Sequence, residues 1–399
     1  MVAMSRFDNV WRSLEATVAS GWAPGIVAGV RHDGTTEFFA TGVRTLGGSE
    51  ESDAMRADTP FRIASLSKPI GGALASLLIA DGVFGLDDPI DRWLPELAHP
   101  RVLLRPDAPL DQTVAADRPI TVRHLLTLTH GQGVGFGRTP LTEAIEDLQI
   151  GAGPIPPQLT ADEYLARLGS LPLTDQPGTR WRYNTGSDIL SVLMARASGR
   201  PLRELLADRI TRPLGMGSTG FTASAELLPT AYQPAASGRT DPDEPDGLAV
   251  FDEPGGFFSK LPPFETLAAG LVSTAPDYLA FLAALEDDGL LPTSLRAQMT
   301  SDQLTSQQRE GADDILGAAT SWGWQVSVEL RNADVAAGRA PSAEPWRAPG
   351  RYGWTGGSGV SAYVDPSRDL IGVVFTQRLM SGPLDTFSYF WAPLAAALS

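Results

Sequence analysis

Ser65-Leu66-Ser67-Lys68 places a hydroxyl and an amine three positions apart at the mouth of an apolar run that ends near Gly82. In a helix such a pair shares one face and lies a few ångströms apart. Serine is a poor nucleophile until a neighbouring base takes its proton. A buried lysine can lose its proton near neutral pH, and an arginine cannot. The chain has 31 basic residues, yet only Lys68 and Lys260 are lysines. The N–H groups of a helix N-terminus would also favour an oxyanion formed beside Ser65. A capping serine next to a solvated lysine has the same spacing. Nor does the spacing say whether Lys68 acts neutral, as a base, or charged, beside an alkoxide or tyrosinate.

Two further segments could complete a site. "QPGTRWRYNTGSDIL" sets Tyr183 between a Pro-Gly turn and an apolar-periodic helix, a junction from which side chains are presented to a ligand. Taken alone, Tyr183 could equally be an aromatic packed on Trp181. "YGWTGGSGVSAYVDP" clusters Gly356, Gly357 and Gly359 at the end of a strand pattern, where backbone or ligand can approach closely. One N–H there could join that of Ser65 in an oxyanion hole. A glycine-rich hairpin turn is the plainer alternative. Other chemistries fare worse. No G-x-S-x-G is present, and none of the four histidines begins an H-E-x-x-H. His124 and His130 lie in an apolar run and read as structural.

The elements that must hold these residues alternate in type along the chain. Phe7, Val10, Trp11 and Leu14 mark an amphipathic N-terminal helix. Two short apolar runs around Asp33-Gly34 form a hairpin pattern. From Ser65 the middle reads as helices, with Ile70, Leu74, Leu77 and Leu78 on one face of the first. Two long stretches, "GRTPLTEAIEDLQIGAGPIPPQLT" and "QPAASGRTDPDEPDGLAVFDEPGGFFSKLPPF", show no period and suggest pocket-shaping loops. After one helix, "APDYLAFLAALEDDG", four strand patterns succeed one another: "WGWQVSVEL", "RYGWTGG", "GVSAYVDP" and "LIGVVFTQR". A last helix around Leu384 to Leu398 closes the chain. The class is therefore α+β, with one antiparallel sheet drawn from both termini, flanked by terminal helices. The division expected is 1–64 with 270–399 as the sheet domain and 65–269 as a mostly helical domain, the site lying at their junction.

Composition sets outer limits. With 399 residues, 43% of them hydrophobic and 20% charged, the chain can bury a large core. A net charge of −16 argues against nucleic acid or an anionic membrane as partner. There is no cysteine, hence no disulfide or thiolate site. The N-terminal segment mixes charged and apolar residues, and no run of 18 apolar residues comes after it, the pattern of a cytoplasmic protein.

Taken together, these segments resemble the serine β-lactamase and penicillin-binding-protein superfamily, whose marks are S-x-x-K, a Tyr or Ser motif and K-T-G. Ser65-Leu66-Ser67-Lys68 matches the first mark. "FRIASLSKPI", "LDDPIDRWLPEL", "ITVRHLLTLTHG", "PGTRWRYNTGSDIL", "PLGMGSTGF" and "AAGLVSTAPDYLAFL" are similar to its class C branch, in order, so that the resemblance spans Gly25 to Arg378. Two departures stand out. The branch carries Tyr-x-Asn, whereas Asn184 directly follows Tyr183 and Thr185 takes the third place. Its K-T-G becomes Trp354-Thr355-Gly356, without the cation that would engage a β-lactam carboxylate. Such variants resemble the β-lactamase-like, or family VIII, carboxylesterases.

The resemblance implies the β-lactamase/DD-peptidase-like fold and a small-molecule ester or lactam substrate, with no cofactor and no metal. It implies Ser65 as acylated nucleophile, Lys68 and Tyr183 as activating bases, and the N–H groups of Ser65 and Gly357 as the oxyanion hole. Trp354, Thr355 and Gly356 would contact substrate, Trp354 lining an acyl or alcohol pocket. The expected activity is hydrolysis of small carboxylic esters. A β-lactamase, a D-amino-acid peptidase or an acyl transferase would use the same residues, and a non-catalytic binding module would keep only the fold.

Overall fold

A computed structural model describes residues 5–135, 137–235, 247–287, 289–330, 344, 346–383 and 385–398. The hairpin predicted at Asp33-Gly34 joins strands β1 (Gly25–His32) and β2 (Thr35–Gly42). Both turn residues have positive φ, 47° and 72°, as a two-residue turn matched to strand twist requires. The C-terminal third supplies β3 (Thr320–Trp322), β4 (Ser327–Glu329), β5 (Tyr352–Gly356), β6 (Val360–Asp365) and β7 (Leu370–Thr376). Among the described residues these form one seven-stranded antiparallel sheet in the order β2-β1-β7-β6-β5-β4-β3. "WGWQVSVEL" is not one strand. Gln325, at φ 63°, turns the chain so that Ser327 pairs with Trp322.

Alternation along the strands separates two cores. Ile26, Ala28 and Val30 of β1, with Val374 of β7, pack beneath α1 (Asp8–Ala19) and α5 (Ser388–Ala397). Val27 of β1, with Val373 and Phe375 of β7, faces the main core and the helix predicted near residue 275, α4 (Ala275–Glu286). One residue of register separates the two faces.

The central helices α2 (Ser67–Ala80) and α3 (Thr185–Ser198) carry the site. The one-faced pattern expected for α2 is replaced by burial of every residue from Ser67 to Leu78. A helix apolar on all sides belongs in the middle of a core. The first stretch without a period holds a helix, Pro140–Asp147, opened by a capping box between Thr139 and Thr142. In the second, residues 236–246 lie outside the described residues. Beyond them a strand, Leu248–Asp252, pairs with Ala231–Pro234. Three short helices, Thr293–Met299, Ser306–Arg309 and Asp313–Leu316, separate α4 from β3, where the sequence suggested none. No helix among the described residues is long and apolar enough to cross a membrane.

Candidate active site

Ser65 sits in a single 3-10 turn, Ala64–Leu66, between a two-residue strand, Phe61–Arg62, and the start of α2. The turn is held rigidly. Ala64 adopts φ +40°, a conformation that a non-glycine residue keeps only when its surroundings impose it. Ser67 Oγ donates to the Ala64 carbonyl at 2.7 Å and accepts from the Leu271 N–H at 3.1 Å. The Tyr278 hydroxyl donates to the Leu66 carbonyl at 2.8 Å. The second serine of the motif is therefore a clamp on the backbone that carries the first.

At the second position of α2, Lys68 is fully buried. Its Nζ lies 3.0 Å from Ser65 Oγ, 2.7 Å from Asn184 Oδ1 and 2.7 Å from the Ala268 carbonyl. Burial brings the amine down to about 7, against the opposing pull of Asp188. The Asp188 carboxyl is itself pushed up by burial, to about 6, while hydrogen bonding from Thr266 and the charge of Lys68 hold it back. Burial, rather than the motif spacing, is what lets Lys68 lose its proton near neutral pH.

Tyr183 and Asn184 reach this cluster through an unusual backbone. Asn184 has φ 78° and ψ −64°, and the Thr185 N–H donates to the Tyr183 carbonyl at 3.3 Å. This is a strained γ-turn placed directly before α3. An extended segment would send consecutive side chains to opposite sides. Here both point at Lys68, whose Nζ lies 4.6 Å from the centre of the Tyr183 ring. Asn184 standing one place early relative to the family pattern is thereby explained.

The Tyr183 hydroxyl is hydrogen-bonded to Ser65 and receives the Trp354 indole N–H at 2.6 Å. Burial holds the phenol well above its ordinary range, so it stays protonated at neutral pH. Its ring packs among Trp181, Trp322 and Trp354, with centroids 5.6, 6.1 and 5.6 Å away. No feature of the sequence signalled that Trp354 would be bonded to Tyr183 as well as lining a pocket.

These groups open on a cavity of about 430 Å³. Ser65, Tyr183, Trp354, Thr355 and Gly357 line it, together with Val134, Ala152, Pro154, Ile315, Leu379 and Met380. None of the described residues lining it is charged. Ala152 and Pro154 come from the first of the two aperiodic stretches. Gly356 lies behind the wall, where a Cβ would stand 2.4 Å from the Ile63 carbonyl oxygen. The Trp354–Gly356 half of β5 pairs with β6 but has no partner in β4, which leaves that edge facing Ser65.

Sequence reasoning missed Asp188, Thr266 and the Ala268 carbonyl. The available signal for Asp188 was a lone carboxylate in "SDILSVLM", four residues after Asn184 and on the same face of α3. His130 is buried and His124 half-buried, neither lining the cavity, and desolvation lowers them to about 3 and about 4. Both stay neutral.

The sequence profile of the beta-lactamase family matches residues 12–392. Protein Rv1367c of Mycobacterium tuberculosis is 37% identical over 332 residues, 81% of this chain and 79% of that protein. Esterase EstB of Burkholderia gladioli is 31% identical over 380 residues, 90% of this chain and 88% of the esterase. Among solved structures, EstCE1, a hydrolase with promiscuous acyltransferase activity, superimposes with a TM-score of 0.77 at 24% identity over 98% of both chains. That likeness concerns the fold, which is the β-lactamase and penicillin-binding-protein fold. With its family matched over nearly all its length, the chain belongs to the beta-lactamase family and is a serine hydrolase of that family.

Proposed function

We propose that the protein hydrolyses small uncharged carboxylic esters through an acyl-Ser65 intermediate. The observation that carries this reading is the arrangement around Lys68 Nζ. A neutral amine has two N–H donors and one lone pair. The Ala268 carbonyl can only accept, and Asn184 turns its Oδ1 to the lysine. Those two acceptors take both N–H groups, and the lone pair is left for the third neighbour, Ser65 Oγ.

In acylation the Ser65 hydroxyl proton passes to Lys68 while Oγ bonds to the ester carbonyl carbon, whose π pair moves to oxygen. The N–H groups of Ser65 and Gly357 receive that oxyanion. Collapse expels the alcohol oxygen, which takes a proton from Tyr183. The phenol suits this role because it is protonated, and the donor-only indole of Trp354 leaves its hydrogen free to point toward Ser65 and the leaving group. Lys68 returns the proton to Tyr183. Water then gives a proton to Lys68 as its oxygen bonds to the acyl carbon, and collapse releases the carboxylic acid while Ser65 Oγ takes the proton back from Lys68. Tyr183 thus serves as acid in acylation, where the family pattern suggested a second base.

The uncharged cavity wall and Trp354 in place of a lysine favour a neutral substrate over an anionic lactam. The relative named Esterase EstB supports an ester as the substrate. The test is parallel turnover of a short-chain p-nitrophenyl ester and a chromogenic cephalosporin, with Ser65→Ala as blank. Fast ester cleavage lost in Ser65→Ala, with cephalosporin turnover at least about a hundredfold lower in kcat/KM, is expected. Dominant cephalosporin cleavage would overturn the ester reading.

A further inference from the structure

We propose that Asp188 is a positioning residue for acylation, fixing the direction in which the Lys68 lone pair points. The proposal rests on the reading of Lys68 as the base that activates Ser65.

The direction depends on which end of the Asn184 amide faces the lysine. Asn184 Nδ2 donates to Asp188 Oδ2 at 3.0 Å, which leaves Oδ1 toward Lys68 at 2.7 Å. Rotating the amide by half a turn would set its oxygen against a carboxylate and its N–H donors against an amine. With Asp188 ionised, that orientation is excluded. The same carboxylate reaches the second acceptor as well. Asp188 Oδ1 accepts from Thr266 Oγ1 at 2.6 Å, and Thr266 Oγ1 accepts from the Ala268 N–H at 3.0 Å. Ala268 carries the carbonyl that takes the other lysine N–H. One buried carboxylate therefore orders both acceptors and, by elimination, sends the lone pair to Ser65.

The titratable groups around this network are few. Lys68 and Tyr183 face it from the cavity side. Tyr164, on the helix Ala161–Gly169, donates its hydroxyl to Asp188 Oδ2 at 3.4 Å. His130 is buried and neutral, and its ring abuts Gly186 in the first turn of α3. Asp188 is thus the negative charge that stabilises Lys68 when it takes the serine proton.

Asp188→Asn tests the idea with nearly unchanged volume. Its amide gives Asn184 a donor to meet, so that Asn184 turns its own Nδ2 toward Lys68 and occupies the lone pair. The second-order rate of Ser65 labelling by a fluorophosphonate, measured against pH, is expected to fall about a hundredfold. Loss of the opposing charge also moves the acid limb of that profile about one unit lower. A profile that superimposes on the wild type within about threefold would overturn the proposal. So would a drop in melting temperature with the limb unmoved, the mark of a merely structural role.

Should Asp188→Asn not fold, Asn184→Leu removes the same relay. It is expected to lose as much, and wild-type labelling rates in it would overturn the proposal. Failure of wild-type protein to be labelled at Ser65 at all would instead refute the acyl-enzyme reading on which the proposal rests.

Discussion

Replacing Lys68 by arginine keeps the positive charge and removes the proton transfer. An unperturbed lysine near 10.4 is neutral in fewer than about one molecule in a thousand at pH 7. Burial brings Lys68 to about 7, so half of the molecules then carry the free amine. That amounts to a gain of roughly a thousandfold in the reactive form. The Lys68→Arg side chain does not deprotonate in a protein, and its loss in kcat/KM should reach at least about a thousandfold. The wild-type profile has a definite sign. The base is active when neutral, so kcat/KM rises with pH through a midpoint near 7 and falls tenfold for each unit below it. Initial rates on a neutral ester in a pH-stat, whose readout does not depend on ionisation of the product, give the profile. A Lys68→Arg variant within tenfold of the wild type, or a wild-type profile flat across the acid side, would refute the assignment of Lys68 as base.

Four further substitutions test parts of the same frame. Trp354→Phe keeps an aromatic ring against Trp322, 4.9 Å away by centroid, and removes the hydrogen bond to Tyr183. Losing one such donor should lower kcat/KM by about five- to tenfold with the melting temperature nearly unchanged, and unaltered kinetics would show that the indole N–H is dispensable. Ser67→Ala strips the Ala64 carbonyl of its hydroxyl donor and leaves the buried Leu271 N–H without its acceptor. Denaturant unfolding should register a loss of about 1–3 kcal/mol, and slower labelling of Ser65 should accompany it. Gly356→Ala drives a Cβ to 2.4 Å from the Ile63 carbonyl oxygen and 2.6 Å from Val360 Cγ2, whereas Gly357→Ala meets nothing within 4 Å. The first should lower the melting temperature by several degrees and the second should not; equal melting would contradict the packing of β5 against the Ser65 turn.

The parts of the site that obey local periodicity were legible from residues alone. Ser65 and Lys68 meet because three positions is nearly one helical turn, and Asp33-Gly34 makes its hairpin because both residues tolerate positive φ. The C-terminal strands were visible in their apolar runs, apart from "WGWQVSVEL", where a turn at Gln325 is hidden inside an apolar pattern. Asn184 could not be placed, since its convergence with Tyr183 depends on a γ-turn that neither strand nor helix spacing anticipates. Asp188 was masked by a more general problem. In a helix buried on all sides, a functional carboxylate has no polar face to announce it, and only its partners from distant segments, Thr266 and Tyr164, reveal its use. The helix Pro140–Asp147 was legible in principle, since Thr139 and Thr142 form its capping box. Its eight residues are simply too few for a period to stand out.

The tryptophan in the third motif has an electrostatic consequence beyond pocket shape. A lysine at position 354 would bring a second cation to the Tyr183 oxygen, which would favour tyrosinate and make the phenol a base. It would also sit close to Lys68 and depress that amine further. The indole does neither. It supplies one neutral donor, and burial is then free to keep Tyr183 protonated. Among the described residues Lys68 remains the one basic nitrogen hydrogen-bonded to Ser65, with Asp188 behind it to carry the balancing charge. On this reading the exchange of lysine for tryptophan does two things at once. It removes the anchor for an anionic substrate, and it divides the proton work so that lysine is the base and tyrosine the acid.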